Sequence, residues 1–516
     1  MWALRAAVHP RLWLSSVCRG RRAPRVPAAS CPARGLAAVG RRGPGDLEGL
    51  WGRGRGLRAD GGRNCPGEDE EEPEDADEDA EKLLQREPLL PAGTQRVCLV
   101  HPDVKWGPGK PHMTRAEWQV AEAAALVHTL DGWSVAQTMV VSTKTPDKKL
   151  VFGKGNFEHL TERIRRSPDI TCVFLNVERM AAPTKKELEA AWGVEVFDRF
   201  TVVLHIFRCN ARTKEARLQV ALAEIPLLRS NLKRDVAHLH RGGSGSRYIM
   251  GSGESFMQLQ QRLLKEKEAK IRKALDRLRN KRHLLRRQRT RREFPVVSVV
   301  GYTNCGKTTL IKALTGDTAL QPRDQLFATL DVTAHAGTLP SRLTVLYVDT
   351  IGFLSQLPHG LIESFSATLE DVAHSDLILH VRDVSHPEAE LQKASVVSTL
   401  RGLRLPTPLL DSMLEVHNKA DLVPGYHPTE PNALPVSALL GHGLQELKVE
   451  LDAAVLKATG RQVVTLRVQL AGAQLSWLHQ EATVQQVDVI PEDGAADVTV
   501  VISHSAYGRF RKLFPG

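Results

Sequence analysis

At 516 residues the chain has room for roughly three or four domains, and its make-up, 42% hydrophobic and 25% charged, is that of a globular protein. No uninterrupted apolar run reaches about 18 residues, so stable membrane insertion is not expected. The seven cysteines, at 18, 31, 65, 98, 172, 209 and 305, form no CxxC pair and no disulfide framework, which fits a reducing interior compartment.

Residues 1–45 hold nine arginines and no acid, with short apolar pieces such as Leu12-Trp13-Leu14 between them. That is the transit-peptide pattern, and the apolar runs are too short for a secretory signal; mitochondrial import, to the matrix, is expected. Residues 46–91 read as a disordered acidic linker carrying the block Glu68–Asp79, which repels itself and can bury no core.

From 92 to 207 an α/β domain is predicted, with strands at 97–100, 170–175 and 202–207 and helices at 115–130 and 184–192. Gly153-Lys154-Gly155-Asn156 is too short for a phosphate loop and reads as a plain turn. Residues 208–293 then give two helical patterns around a polar, Gly-rich tip at 241–254, an antiparallel helical hairpin. The second pattern is strongly cationic. Residues 258–293 carry fifteen Lys/Arg against four acids, a net +11 that equals the formal charge of the whole chain. So many like charges on one helix repel one another unless a polyanion neutralises them. With no interleaved aromatics, phosphate-backbone contact is favoured over base stacking.

Residues 294–456 carry the chemistry. The apolar run Pro295–Val300 leads into Gly301-Tyr302-Thr303-Asn304-Cys305-Gly306-Lys307-Thr308 and a helical pattern from Thr309. A strand, a Gly-bounded loop ending in Lys-Thr and a helix make a phosphate-binding unit, its backbone N–H groups and helix N-terminus facing the phosphates. Lys307 would reach the β- and γ-phosphates, and the Thr308 hydroxyl would bind Mg²⁺. Phe327–Asp331 stands where a first switch belongs, with Thr329 as a second Mg²⁺ contact. Asp349-Thr350-Ile351-Gly352 is the DxxG element: Asp349 would hold the metal through water, and the Gly352 N–H would sense the γ-phosphate. Asn418-Lys419-Ala420-Asp421 supplies a carboxylate for two guanine N–H groups, which adenine cannot match. Ser437-Ala438 offers a backbone N–H near the guanine O6. Five such elements in order make a GTPase. The residue after the DxxG glycine is Phe353, which cannot orient water as a glutamine does; slow intrinsic hydrolysis and dependence on a partner are expected. Residues 457–516 read as a small α+β domain without a catalytic constellation.

The chain resembles the HflX family, in the Obg–HflX branch of translational GTPases, and within it a mitochondrial member. The resemblance rests on Gly301-Tyr302-Thr303-Asn304, on Leu326–Asp331, on Asp349–Phe353 with Leu357-Pro358-His359, and on Ala211–Glu215 at the start of the arm. It departs at the tip, where the family's Gly-Pro-Gly-Glu-Thr stands as Gly251-Ser252-Gly253-Glu254-Ser255. The resemblance implies a monomer with GTP and Mg²⁺ as ligands. It implies that the GTP form binds the large mitoribosomal subunit and its rRNA through the basic arm 258–293 and tip 241–254, driving subunits apart. A large-subunit assembly or quality-control factor would use the same surface, and an RNA-binding scaffold with negligible turnover is the reading from another class. A membrane-surface GTPase is disfavoured, since the cationic stretch has no Trp.

Overall fold

A computed structural model describes residues 90–91, 93–104, 115–143, 151–241, 256–291, 294–354, 371–403, 405–428, 430, 433–491 and 494–515, with only the backbone of 233–241, 256 and 283–291. The transit-peptide expectation for 1–45, nearly all of the acidic stretch, the arm tip and Leu357-Pro358-His359 lie outside the described residues.

Three sheets follow one another along the chain. The first is wholly parallel, in the order β2-β1-β3-β4, from β1 (Gln95–Val104), β2 (Trp133–Thr143), β3 (Cys172–Leu175) and β4 (Glu195–Asp198). Helices α1 (Ala116–His128), α2 (Lys154–Arg165) and α3 (Ala182–Trp192) make the crossovers. Gly153 is the N-cap of α2, so Gly153–Asn156 opens a helix and is not a plain turn.

The segment 202–207, predicted as a strand, is helical. It lies inside α4, Arg199–Asn210, started by Asp198, whose carboxylate accepts from the Thr201 N–H at 2.9 Å. Eight of its first nine residues are buried, among them Val202, Val203 and Ile206. A helix covered on every side shows no amphipathic period, and its β-branched run reads as a strand.

The arm is α5 (Lys214–Arg241) against α6 (Phe256–Arg291). Leu218, Ala221 and Ile225 of α5 and Ile271 of α6 form its seam, with Leu264, Leu275 and Leu278 packed beside it. Arg229 and Glu268 pair across it at 2.9 Å. Among the described residues no helix is long and apolar enough to cross a membrane.

The second sheet runs β10-β9-β8-β5-β7-β6. Its strands are β5 (Val296–Gly301), β6 (Thr333–Thr338), β7 (Thr344–Asp349), β8 (Leu377–Asp383), β9 (Leu414–Asn418) and β10 (Leu434–Pro435), all parallel except β6. Helices α7 (Lys307–Thr315), α8 (Ala389–Gly402), α9 (Thr407–Asp411) and α10 (Leu444–Thr459) accompany it. β5 is central and buried, so the loop that leaves it sits at the carboxyl edge of the sheet, where open α/β folds hold ligands.

The third sheet is antiparallel, β11 (Arg461–Gln469), β13 (Ala495–Ser503) and β12 (Thr483–Ile490), with α11 (Ala473–Glu481) and α12 (His504–Leu513). Val468, Val498, Val500 and Phe510 share its small core.

Candidate nucleotide site and its contacts with the arm

Glycines let the loop after β5 fold tightly. A Cβ on Gly301 would stand 2.3 Å from the Val381 carbonyl oxygen, and one on Gly306, whose φ is +92°, 2.3 Å from Asn418 Nδ2. Gly306 is also the residue before α7, so the helix starts where the loop ends. Its first N–H groups and its dipole favour an anion there. Lys307 is buried, and its Nζ donates to the carbonyls of Tyr302 at 3.0 Å and Gly301 at 3.3 Å. Asn304, at φ +61°, donates from Nδ2 to Asp324 Oδ1 at 2.8 Å. Cys305 is buried, which raises its thiol pKa, and Thr309 is half-buried on α7.

Three oxygens converge beside this loop. Thr308 Oγ1 donates to Asp349 Oδ2 at 2.6 Å, Thr329 Oγ1 to the same oxygen at 3.1 Å, and the two hydroxyls are 3.1 Å apart. Asp349 is 1% exposed, and burial raises its pKa, with Lys307, Thr308 and Thr329 partly opposing. Its Oδ1 has no hydrogen-bond partner among the described residues. A desolvated carboxylate grouped with two hydroxyls is a hard-oxygen donor set, suited to a small divalent cation that keeps part of its water shell.

The DxxG element packs directly on the phosphate loop. Thr303 N–H donates to Phe353 O at 2.7 Å and Phe353 N–H to Gly301 O at 3.1 Å. A Cβ on Gly352 would lie 2.9 Å from Thr303 Cα. Thr350 Oγ1 donates to Val299 O at 2.7 Å, and Ile351 and Phe353 are buried in the apolar core.

On the base side, Asn418 Nδ2 donates to the Cys305 carbonyl at 2.9 Å, and its Oδ1 accepts from the Ala438 N–H at 3.0 Å. Asn418 thereby joins three loops. The Ala438 N–H, expected near the base, is engaged by Asn418 here. Ser437 is buried and its Oγ accepts from Leu440 N–H at 3.1 Å. Lys419, at φ +62°, pairs with Asp383 at 2.6 Å, and Asp421 is exposed on a short 3₁₀ turn.

Long-range contacts carry what sequence reading missed. Asp331, two residues after Thr329, accepts from the N–H of Arg212 at 3.0 Å and from the Thr213 hydroxyl at 2.5 Å. Asn210 Nδ2 donates to Phe327 O at 2.9 Å, and the Phe327 ring meets Phe207 edge-on at 4.7 Å. Such a pair contributes about 1 kcal/mol beyond its burial. From α6, Arg282 pairs with Glu215 at 2.8 Å and with Asp371 at 3.3 Å. The first-switch segment and the root of the arm thus form one packed unit.

Three family models match successive parts of the chain: "GTP-binding GTPase N-terminal" over 117–208, "GTP-binding GTPase Middle Region" over 210–289 and "50S ribosome-binding GTPase" over 296–410. The human protein named "Putative GTP-binding protein 6" is 88% identical over the full length of both chains. The mouse protein of the same name is 69% identical, with 84% of each chain covered. GTPase HflX of Magnetococcus marinus is 36% identical over 369 residues, 70% of this chain and 84% of its own.

Proposed function

The chain belongs to the HflX family of GTPases, and from that premise we propose that it is a mitochondrial, ribosome-associated GTPase that binds the large ribosomal subunit in its GTP form and dissociates ribosomes into subunits. The observation that carries this reading is the arm: a 36-residue cationic helix tied through Arg282–Glu215 to the root of α5, which is itself bonded to the segment that carries Thr329.

In the proposed cycle the residues divide the work as follows. The N–H groups from Asn304 to Thr309 and the Lys307 ammonium hold the phosphates. Thr308, Thr329 and Asp349 would hold Mg²⁺, which when bound neutralises charge on the β- and γ-phosphates. The Gly352 N–H meets the γ-phosphate, so its loss on hydrolysis frees the DxxG loop. Asp421 reads the guanine N–H pair, while Asn418 and Lys419 shape the loops around the base.

Phe353 has a side chain that cannot hydrogen-bond to water and lies in the apolar core. The order that the attacking water needs therefore comes from elsewhere, and a large-subunit surface engaged by the arm is the source we favour. The net +11 of residues 258–293 suits the phosphates of rRNA. The Arg-rich, acid-free residues 1–45 support mitochondrial import.

The test is sedimentation of mitochondrial ribosomes with the protein and either GTP or a non-hydrolysable analogue. Conversion of monosomes to subunits is the expected result. Binding to large subunits without conversion would favour an assembly or quality-control role, and binding to neither particle would overturn the proposal.

A further inference from the structure

The phosphate loop reaches beyond its own domain through a side chain. The Tyr302 hydroxyl donates to Glu122 Oε2, on α1 and 180 residues away in sequence. The other oxygen of Glu122 receives the guanidinium of Arg199, the first residue of α4, which is 2% exposed. Arg199 also donates to Asn176 Oδ1 at 3.3 Å, and Asn176 Nδ2 meets His101 Nδ1 at 3.1 Å. Burial lowers the His101 pKa, which favours the neutral ring. His101 is on β1, Asn176 follows β3 and Arg199 follows β4, so this polar chain lies near the carboxyl ends of the first sheet. Open parallel sheets hold their ligands in that region, and here the chain ends on a tyrosine of the neighbouring GTPase domain.

Tyr302 is well placed to transmit the contact. Its carbonyl receives Lys307 Nζ at 3.0 Å. Its neighbours Gly301 and Thr303 hold Phe353 through two backbone hydrogen bonds, and a parallel bridge joins Tyr302 itself to Phe353. A movement of Tyr302 therefore shifts the anchor of the phosphate-binding lysine and the loop of Gly352 together. A ring alone would fill the apolar space around position 302, where Tyr302 sits in the same core as Phe327, Ile351 and Phe353. The hydroxyl adds a hydrogen bond to a carboxyl group that Arg199 also holds.

We propose that Glu122 is a positioning residue for the GTPase: acting through Tyr302, it holds the phosphate loop and the DxxG loop in the register that accepts nucleotide, so the N-terminal domain sets nucleotide affinity. By linkage, bound nucleotide strengthens the seating of the N-terminal domain by the same factor. Both GDP and GTP feel the effect, because the loop holds the phosphates they share.

The experiment uses the full chain with Tyr302→Phe, Glu122→Gln and the double variant. It reads dissociation constants for GDP and GTP, kcat and KM, and melting without nucleotide. Tyr302→Phe leaves the Glu122–Arg199 pair in place, so it decides the matter even if Glu122→Gln fails to fold. Each single variant is expected to weaken both nucleotides about three- to tenfold, the worth of one hydrogen bond, with KM rising more than kcat falls. The double variant should be no weaker than the singles. Unchanged dissociation constants with a lowered melting temperature would overturn the proposal and leave the bond a packing contact. Additive losses in the double variant would overturn it too, since the two residues would then act separately.

Discussion

Asp331 closes the first-switch segment and binds the threonine at the root of the arm: its Oδ1 accepts the Thr213 hydroxyl at 2.5 Å, and its Oδ2 takes the N–H of Arg212 at 3.0 Å and of Thr213 at 3.3 Å. Thr213 in turn accepts from Ala216 N–H at 3.1 Å, so it caps α5 while Asp331 anchors the cap. The carboxylate also favours the helix dipole. Asp331→Ala should cost about 1 kcal/mol of stability. Amide exchange at Arg212 and Thr213 should become faster and lose any dependence on whether GDP or a GTP analogue is bound. Exchange that still follows the nucleotide would mean that the arm root is not coupled through Asp331.

Lys307→Ala removes the only ammonium bonded to the phosphate-loop carbonyls among the described residues. Charge-assisted bonds of this kind contribute about 1.5–3 kcal/mol each, so affinity for GTP should fall at least about tenfold in equilibrium titration. An unaltered affinity would remove Lys307 from the site.

Asp421→Asn keeps the shape of the base loop and loses a two-bond acceptor. Preference for GTP over ATP in competition binding should fall by about tenfold or more. Asn418 already ties this loop to Cys305 and Ala438, so folding should be spared and melting little changed.

His380 gives a pH dependence of stability. It lies on β8, 1% exposed, and burial pushes its pKa down from 6.5 to about 4, with Glu415 opposing and Arg382 assisting. The unfolded chain therefore binds this proton more tightly. The contribution is complete above pH 6.5 and is lost as pH falls toward 4. Between pH 7 and pH 5 it amounts to about 2 kcal/mol. Denaturant melts at the two pH values should differ by more in the natural chain than in a His380→Gln variant. Equal differences would assign the acid sensitivity to other groups.

Neutral substitutions at Arg286, Arg287 and Arg289 should weaken binding to large subunits and flatten its dependence on salt. The slope of log affinity against log salt becomes shallower by roughly one for each phosphate that a removed cation had neutralised. An unchanged slope would place the docking surface elsewhere.

The parts of this site that were legible in the sequence are those whose geometry is local. Gly306-Lys307-Thr308 sits between a buried strand and a helix start, and its spacing alone specifies the backbone. The unread parts depend on residues that no spacing brings together: Glu122 with Tyr302, Asp331 with Thr213, Arg282 with Glu215 and Asp371. Helix α4 was hidden for a different reason. Val202 and Val203 look like strand residues, and burial on all sides removes the helical period. One signal was available, since Asp198 stands just before the apolar run, where a helix N-cap belongs.

The close approach of Gly306 to Asn418 has a consequence for how this protein can change over time. A side chain at 306 would occupy the space of the amide that binds Cys305 and Ala438. A larger residue at 306 is therefore excluded twice, by that amide and by a φ of +92° that L side chains rarely adopt, so a smaller residue at 418 does not rescue it. Glycine at 306 should therefore persist wherever the tie that Asn418 makes between the phosphate loop and the base loop is kept.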